Sequence, residues 1–375
     1  MSAPQIRGWC PGAYTPMRSG DGLILRVRPR MARLSAAQVR GLCAAAIEFA
    51  NGAIELTNRA NLQLRGVTEA AYGPLVERLL ALNLLDGDPD TEARRNIVVT
   101  PFWQPGDLSE RLGLELIARL GELPGLPAKF GFAVDCGAAP VLTATPADIR
   151  LERGVTGGVV LRADGATWGR SVAPDRAVNE VIALTRWFAT RRDDEHRRMA
   201  HLSDRLPTDW KQEMPVPASA PVTPGRRGEG LMQGTAFGSM SARALDRLMR
   251  DTGAACLVVT PWRMILLPGA TKADTRDFIA DADSALLRAH ACPGAPSCAT
   301  ASVETRALAA TLADRVGGGT LHVSGCAKGC AHPAAADWTL VGRDGAFDLV
   351  RNGAPWDEPV RRSLSPGQAE QLFGE

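Results

Sequence analysis

The chain has 375 residues, enough for two or three domains with their own cores. Its 43 Lys and Arg against 41 Asp and Glu leave a net charge of +2, so composition alone points to neither nucleic acid nor a polyanionic surface as partner. No apolar run reaches the about 18 residues a membrane helix needs, and the opening MSAPQIRGWCPG lacks the apolar stretch of an export signal. Eight cysteines are few for a secreted disulfide scaffold of this length, so reduced thiols and a cytoplasmic location are expected. Cys10, Cys43, Cys136 and Cys256 lie scattered, the last three among apolar residues that suggest simple packing.

Residues 1–86 are expected to form a ferredoxin-like half. Along Leu23–Arg28, Leu23, Leu25 and Val27 face one way; Ile24, Arg26 and Arg28 face the other. Ser35 opens a helix, with Gln38 completing a capping box. Val39, Leu42, Cys43, Ala46 and Ile47 supply its buried stripe, and Asn51-Gly52 ends it. Ile54 and Leu56 then lead into a turn at Thr57–Ala60. Leu62 and Leu64 return as a strand with Asn61, Gln63 and Arg65 on its other face. Leu75, Val76, Leu79 and Leu80 mark the next helix, completing strand–helix–hairpin–helix. One sheet face is apolar; the other carries Arg26, Arg28, Asn61, Gln63 and Arg65. It is either an ordinary solvated face or a cradle for a polycarboxylate, where each shielded charge-assisted hydrogen bond contributes roughly 1.5–3 kcal/mol.

Residues 87–202 read as a mixed α/β domain. EARRNIVVTP places Arg94, Arg95 and Asn96 before an apolar strand, and GLPAKFGFAVDCG places Lys129 before another. Short strands follow over 141–175. Val178, Val181, Ile182, Trp187 and Phe188 mark a helix expected to run on into the solvated RRDDEHRRMAH. Residues 203–232, rich in Pro, Ala and Gly without a period, read as a linker.

Residues 233–288 restart the ferredoxin-like pattern. Leu245, Leu248 and Met249 form a helix face closed by Gly253. LVVTPWRMILLPGA then aligns with IELTNRANLQLRGV, matching Thr57 with Thr260 and Gly66 with Gly269, and a helix is expected after both. This is an internal repeat. Asn61, Gln63 and Arg65 correspond to Met264, Leu266 and Pro268, so only one half keeps a polar face.

Residues 289–375 carry Cys292 and Cys298 in ACPGAPSC, and Cys326 and Cys330 in SGCAKGCAHP, a C-x5-C pair followed by a C-x3-C pair. Four thiolates in two close pairs can wrap one cubane 4Fe-4S cluster. Zinc is a second reading, but its ribbons and knuckles prefer tighter pairs than x5. Four unrelated cysteines is a third, against which the pairing speaks. Pro293, Gly294, Pro296 and Ser297 keep the first pair in a turn, and Gly325 and Gly329 let backbone approach the metal. No G-x-G-x-x-G follows a strand, so electrons are expected from a partner and not from a flavin or nicotinamide domain.

The two cysteine stretches resemble the cluster signature of the sulfite and nitrite reductase family, in which the last cysteine, here Cys330, also bridges to sirohaem iron. LRVRPR resembles that family's anion-site strand, TNRANLQLRGV its hairpin and RRNIV its arginine–asparagine turn, so the likeness spans nearly the whole chain. It implies an α+β fold, internally duplicated, with two ferredoxin-like halves, each joined to a mixed α/β domain of the cluster or sirohaem type. It further implies Lys129, Arg59 and Arg95 as catalytic candidates. Arg26, Arg28, Asn61, Gln63, Arg65 and Asn96 become tetrapyrrole-binding candidates. Arg26, Arg28, Arg59, Arg95 and Lys129 are expected in one cleft facing the cysteines.

LPAKFGF departs from the family, which carries two lysines one residue apart. Here Lys129 remains, and Gly131 stands where the second would be, leaving room for a long side chain. KFGFAVD, TPWRMILLPG and CAHPAAADWTLVG look like the precorrin-3B synthase branch. That branch hydroxylates precorrin-3A with O2 and NADH-derived electrons and forms a lactone in cobalamin biosynthesis. The likeness implies a monooxygenase with a 4Fe-4S cluster, an additional iron (mononuclear non-haem or sirohaem), and a separate NADH-dependent reductase or ferredoxin. His332 is either a ligand of that iron or a structural histidine. Two alternatives stand beside it. One is a sirohaem-dependent sulfite or nitrite reductase, the other a non-catalytic electron-transfer or tetrapyrrole-carrier protein.

Overall fold

The computed structural model of the protein describes residues 11–273 and 276–373, so Cys10 lies outside the described residues. The first repeat comprises β1 (Met17–Ser19), β2 (Gly22–Val27), β3 (Arg33–Ser35), α1 (Ala36–Phe49), β4 (Ala53–Leu56), β5 (Leu62–Val67) and α2 (Glu69–Ala81). The capping box sets the start of α1: the Gln38 amide donates to Ser35 Oγ at 3.2 Å, and the Ser35 amide to Gln38 Oε1 at 3.0 Å. Thr68 caps α2 by accepting the Ala71 amide. Leu23, Leu25 and Val27 enter the core beside Leu42, Leu62, Leu64 and Leu75, as their alternation predicts.

The middle domain follows as α3 (Pro89–Arg94), β6 (Ile97–Val99), α4 (Leu108–Ala118), β7 (Phe132–Asp135), β8 (Ile149–Arg153), β9 (Val159–Ala163), β10 (Arg170–Val172) and α5 (Ala177–Ala189). β6, β7 and β8 are parallel; β9 and β10 add antiparallel. α5 stops at Ala189 and does not continue into the charged run. There Asp193 accepts the amides of Glu195 and His196, a local turn that competes with helix. The segment 203–232 is stitched to its neighbours. Pro215 and Glu213 bridge Gly154 and Gly169, and the Glu213 carboxylate accepts the Thr156 hydroxyl and amide. Single bridges impose no period, so this attachment leaves no pattern in the sequence.

The second repeat contains β11 (Gly225–Arg227), β12 (Gly230–Gly234), β13 (Ser239–Ser241), α6 (Ala242–Thr252), β14 (Cys256–Val259) and β15 (Met264–Pro268). Gly253, at φ 62°, ends α6 in the left-handed conformation that suits glycine. Contrary to expectation, the described residues after Gly269 form no helix matching α2. Ile279 bridges Gly234 and Phe278 enters the core. Too few apolar residues recur there at helical spacing to clad a stripe. The last domain has β16 (Ala289–Ala291), α7 (Arg306–Leu312), β17 (Leu321–Ser324), β18 (Ala336–Arg343), β19 (Ala346–Gly353), β20 (Arg361–Leu364) and α8 (Pro366–Gln371). Three parallel strands followed by two antiparallel ones repeat the middle sheet's plan.

The ferredoxin-like sheets run β1-β2-β5-β4-β13 and β11-β12-β15-β14-β3. Each takes its fifth strand from the other repeat: Met240 pairs with Ile54, and Leu34 with Leu257. α1 and α6 pack together over this exchange. Leu34, Leu42, Ile54, Met240, Leu245 and Leu257 belong to one core. Each leucine so buried contributes about 1.5–3 kcal/mol. The fold is the duplicated α+β arrangement, with two ferredoxin-like halves sharing a core. Among the described residues, no helix is long and apolar enough to cross a membrane.

A candidate cluster site and the cleft beside it

β16 and β17 are parallel neighbours, so the loops leaving their carboxyl ends open side by side. The first carries Cys292 and Cys298, the second Cys326 and Cys330. The Gly325 amide donates to Cys292 Sγ at 3.2 Å. Thr300 Oγ1 lies 3.3 Å from Cys298 Sγ and 3.8 Å from Cys326 Sγ. Cys330 is the most open of the four. Its thiol is pushed up by partial burial, then by Cys326, Cys292 and Cys298, so all four sulfurs lie within electrostatic reach. Burial pushes the Cys298 thiol up, but the Thr300 hydroxyl and amide, the Ala301 amide and Arg65 together hold it below the usual range. A Cβ at Gly325 would stand 2.6 Å from Ala301 Cβ, so the loops fit only without a side chain there. Among the described residues, no three His, Cys, Asp or Glu gather around a single point for one ion. Four spread thiols with amide and hydroxyl donors on sulfur fit a cubane cluster. Cys43 and Cys136, by contrast, are buried thiols pushed up to about 12 by desolvation.

The first sheet holds the first cysteine loop from outside. Arg65 Nη2 and Ser19 Oγ each donate to the Ser297 carbonyl at 2.8 Å, while Asp21 pairs with Arg65 at 3.3 Å. A Cβ on Gly20 would lie 2.6 Å from the Pro296 carbonyl oxygen and 2.9 Å from the Ala299 amide. Ser19, Gly20 and Asp21 look like an ordinary hairpin turn in the sequence, and only the tertiary contact reveals their role.

A cavity of 410 Å³ opens beside the cysteines. Thr57 and Asn58 of one repeat and Pro261, Trp262 and Arg263 of the other line it with Cys292, Cys330, His290 and Arg306, and among the described residues no Asp or Glu lines it. Arg306 pairs with Glu55 at 2.5 Å. Arg263 donates to the carbonyls of Ala289 and Leu287, and burial pulls its pKa down. The rings of His290 and His332 stack at 4.1 Å, and His322 meets His332 edge-on at 5.8 Å. Burial first, then neighbouring charges, pushes His290 and His322 down to about 3, so both are neutral at pH 7. His332 therefore packs within a histidine group. Only His332 stood out in the sequence, because the pairing of His290 with His322 exists only across strands.

The structure divides the basic candidates. Arg26 donates to Gln63 Oε1 at 3.2 Å and Gln63 to Glu55 Oε2 at 2.9 Å, so a polar chain crosses the sheet to Arg306. Arg59 donates to the Lys129 carbonyl at 2.8 Å, joining the first hairpin to the LPAKF segment. The Asn61 amide closes that hairpin on Thr57 Oγ1. Arg28 and Arg95 go elsewhere. Both hold the buried Glu92 carboxylate, Arg28 at 3.2 Å, and Arg95 also pairs with Asp86 at 2.9 Å. Arg28 lines a separate 430 Å³ cavity with Tyr14, Arg94 and Phe130. Asn96 donates to the Phe130 carbonyl at 2.8 Å. Gly131 leaves no room for a side chain: its Cβ would stand 2.7 Å from Asn96 Nδ2.

Residues 15–82 match the nitrite/sulfite reductase ferredoxin-like half domain. A precorrin-3B synthase of Sinorhizobium sp. is 30% identical, over 94% of this chain and 84% of its own. Among solved structures, the Mycobacterium tuberculosis NirA protein aligns over 93% of this chain and 79% of its own, with a TM-score of 0.66 at 19% identity, a likeness of fold. Duplicated halves, a full-length relative and paired cysteine loops lead to one placement: the chain belongs to the precorrin-3B synthase family, built on the nitrite/sulfite reductase fold.

Proposed function

We propose that the protein is an oxidoreductase of cobalamin biosynthesis that hydroxylates precorrin-3A with O2 and closes a lactone from a ring acetate. In such a step one oxygen atom enters the ring, and the other leaves as water with two electrons and two protons. The carrying observation is the 410 Å³ cavity, which has Cys292 and Cys330 in its wall, arginines at its edge and, among the described residues, no carboxylate in its lining. A ring edged by acetates and propionates is a polyanion, and a cavity of this sign favours it.

Cys292, Cys298, Cys326 and Cys330 would hold a 4Fe-4S cluster, which when bound supplies electrons one at a time. The Gly325 amide and Thr300 hydroxyl stabilise negative charge on sulfur there. Arg59 and Lys129 are the proposed partners of substrate carboxylates: Arg59 follows Asn58, which lines the cavity, and its guanidinium donates to the Lys129 carbonyl, joining the first hairpin to the LPAKF segment. A separate NADH-dependent reductase or ferredoxin would supply the electrons. Sulfite or nitrite reduction is disfavoured at Gly131, where Asn96 occupies the space a second lysine would need. The test supplies cluster-loaded protein with precorrin-3A, O2 and reductant, and reads product mass. A product heavier by oxygen, with negligible sulfite or nitrite turnover by reduced dye, is expected. Brisk sulfite or nitrite reduction with precorrin-3A unchanged would overturn the reading.

A further inference from the structure

The 410 Å³ cleft shares Trp262 and Arg263 with a second cavity of 590 Å³, lined by Val141, Thr143, Met264, Leu287 and residues 218–224. Both fall within the ~300–1,000 Å³ typical of ligand sites. The second is mainly apolar, and among the described residues neither has an acidic residue in its lining. At their boundary, Trp262 occupies the hairpin position that Arg59 holds in the first repeat. Its turn is firmly built. The Thr260 hydroxyl donates to the Met264 carbonyl at 2.7 Å, and the next residue, Arg263, is tied to the last domain through the Ala289 carbonyl at 2.7 Å. The half-buried indole is backed by Phe102, with centroids 6.3 Å apart and planes 20° apart, and Arg227 lies 4.3 Å over Phe102. A planar apolar surface, braced from behind, thus stands at the edge of a cavity that favours anions.

We infer that Trp262 is a binding residue for the face of a polycarboxylate macrocycle, and that the bound ring lies across the boundary of the two cavities. This rests on the tetrapyrrole reading. The repeats then contribute different chemistry from equivalent turns: a guanidinium for the carboxylate edge from the first, an indole for the ring face from the second. Offset stacking of this kind favours parallel planes and adds to simple area burial.

The experiment titrates uroporphyrin III, a stable ring with the same type of carboxylate edge, into full-length cluster-loaded protein in the dark without O2. Wild-type protein should bind it with a shifted Soret band. Trp262→Ala should weaken binding about tenfold, equivalent to ~1.4 kcal/mol, and lose the shift at unchanged iron content. Trp262→Phe should keep the shift and lose less than about threefold. Trp262→Leu keeps apolar bulk against Phe102 without a π face, so it should behave like the Ala variant even if that variant folds poorly. Wild-type affinity and band shift in Trp262→Leu would reduce Trp262 to core packing and leave the tetrapyrrole reading intact. Wild-type protein that binds neither uroporphyrin III nor precorrin-3A would overturn that reading and the platform with it.

Discussion

At Gly131 the missing side chain is enforced by its surroundings, because Asn96 already fills the space. Replacing Gly131 with Lys should therefore destabilise the protein by about 1–3 kcal/mol and confer no sulfite reduction. Urea denaturation and a dye-coupled assay check both halves of this expectation. Glu92 plays the reverse part. It is 1% exposed and holds two guanidiniums, Arg28 and Arg95. Glu92→Ala would leave both buried without it, and a loss of ~3–5 kcal/mol is expected in the same denaturation experiment. These residues also mark a boundary of legibility. Cysteine spacing within each pair is local, so each pair was legible in the sequence, while the meeting of the two pairs depends on β16 lying beside β17. The arginines could not be sorted that way. Arg28 meets its carboxylate 64 residues along the chain, and no periodicity encodes that meeting.

The turn between β1 and β2 shows one element serving another. A methyl on Gly20 would press on the backbone of Pro296, Cys298 and Ala299. Gly20→Ala should therefore lower iron and sulfide content while circular dichroism stays native. Full cluster content in that variant would show that the loop relaxes freely. β16 and β17 carry a different signature. Their His290 and His322 are pushed down to about 3 from an ordinary 6.5, facing each other, His332 and Arg263. Below 6.5 the unfolded chain takes up protons that the folded one refuses until near 3. The stability linked to these groups is thus fully present above 6.5 and is lost as pH falls towards 3. The urea midpoint should fall between about pH 7.5 and about pH 5, and His322→Phe should flatten that fall. Elements of this length were legible where their signals were local, as with the Ser35 capping box and the alternation of β2. β3 and β13 are three residues each, too short to show a period, so the exchange they make was invisible.

At the scale of the whole molecule, the duplication was legible because the two hairpins keep matching residues. That the halves are interlocked was not, since it depends on which sheet each short strand joins. A chain cut between Trp210 and Gly225 should yield fragments that co-purify when expressed together. Either fragment alone should be insoluble or protease-sensitive, because each lacks one strand of its sheet and exposes the shared core. Two independently stable fragments would show that the exchange is dispensable. The interlock also sets a timetable for synthesis. β4 leaves the ribosome early, but the strand that covers its edge, β13, ends at Ser241. At roughly 5–20 residues per second, the edge waits on the order of ten seconds for its cover. During that interval the nascent protein carries an unpaired β4 edge beside half of an apolar core, open to chaperones and to neighbouring chains on the same messenger.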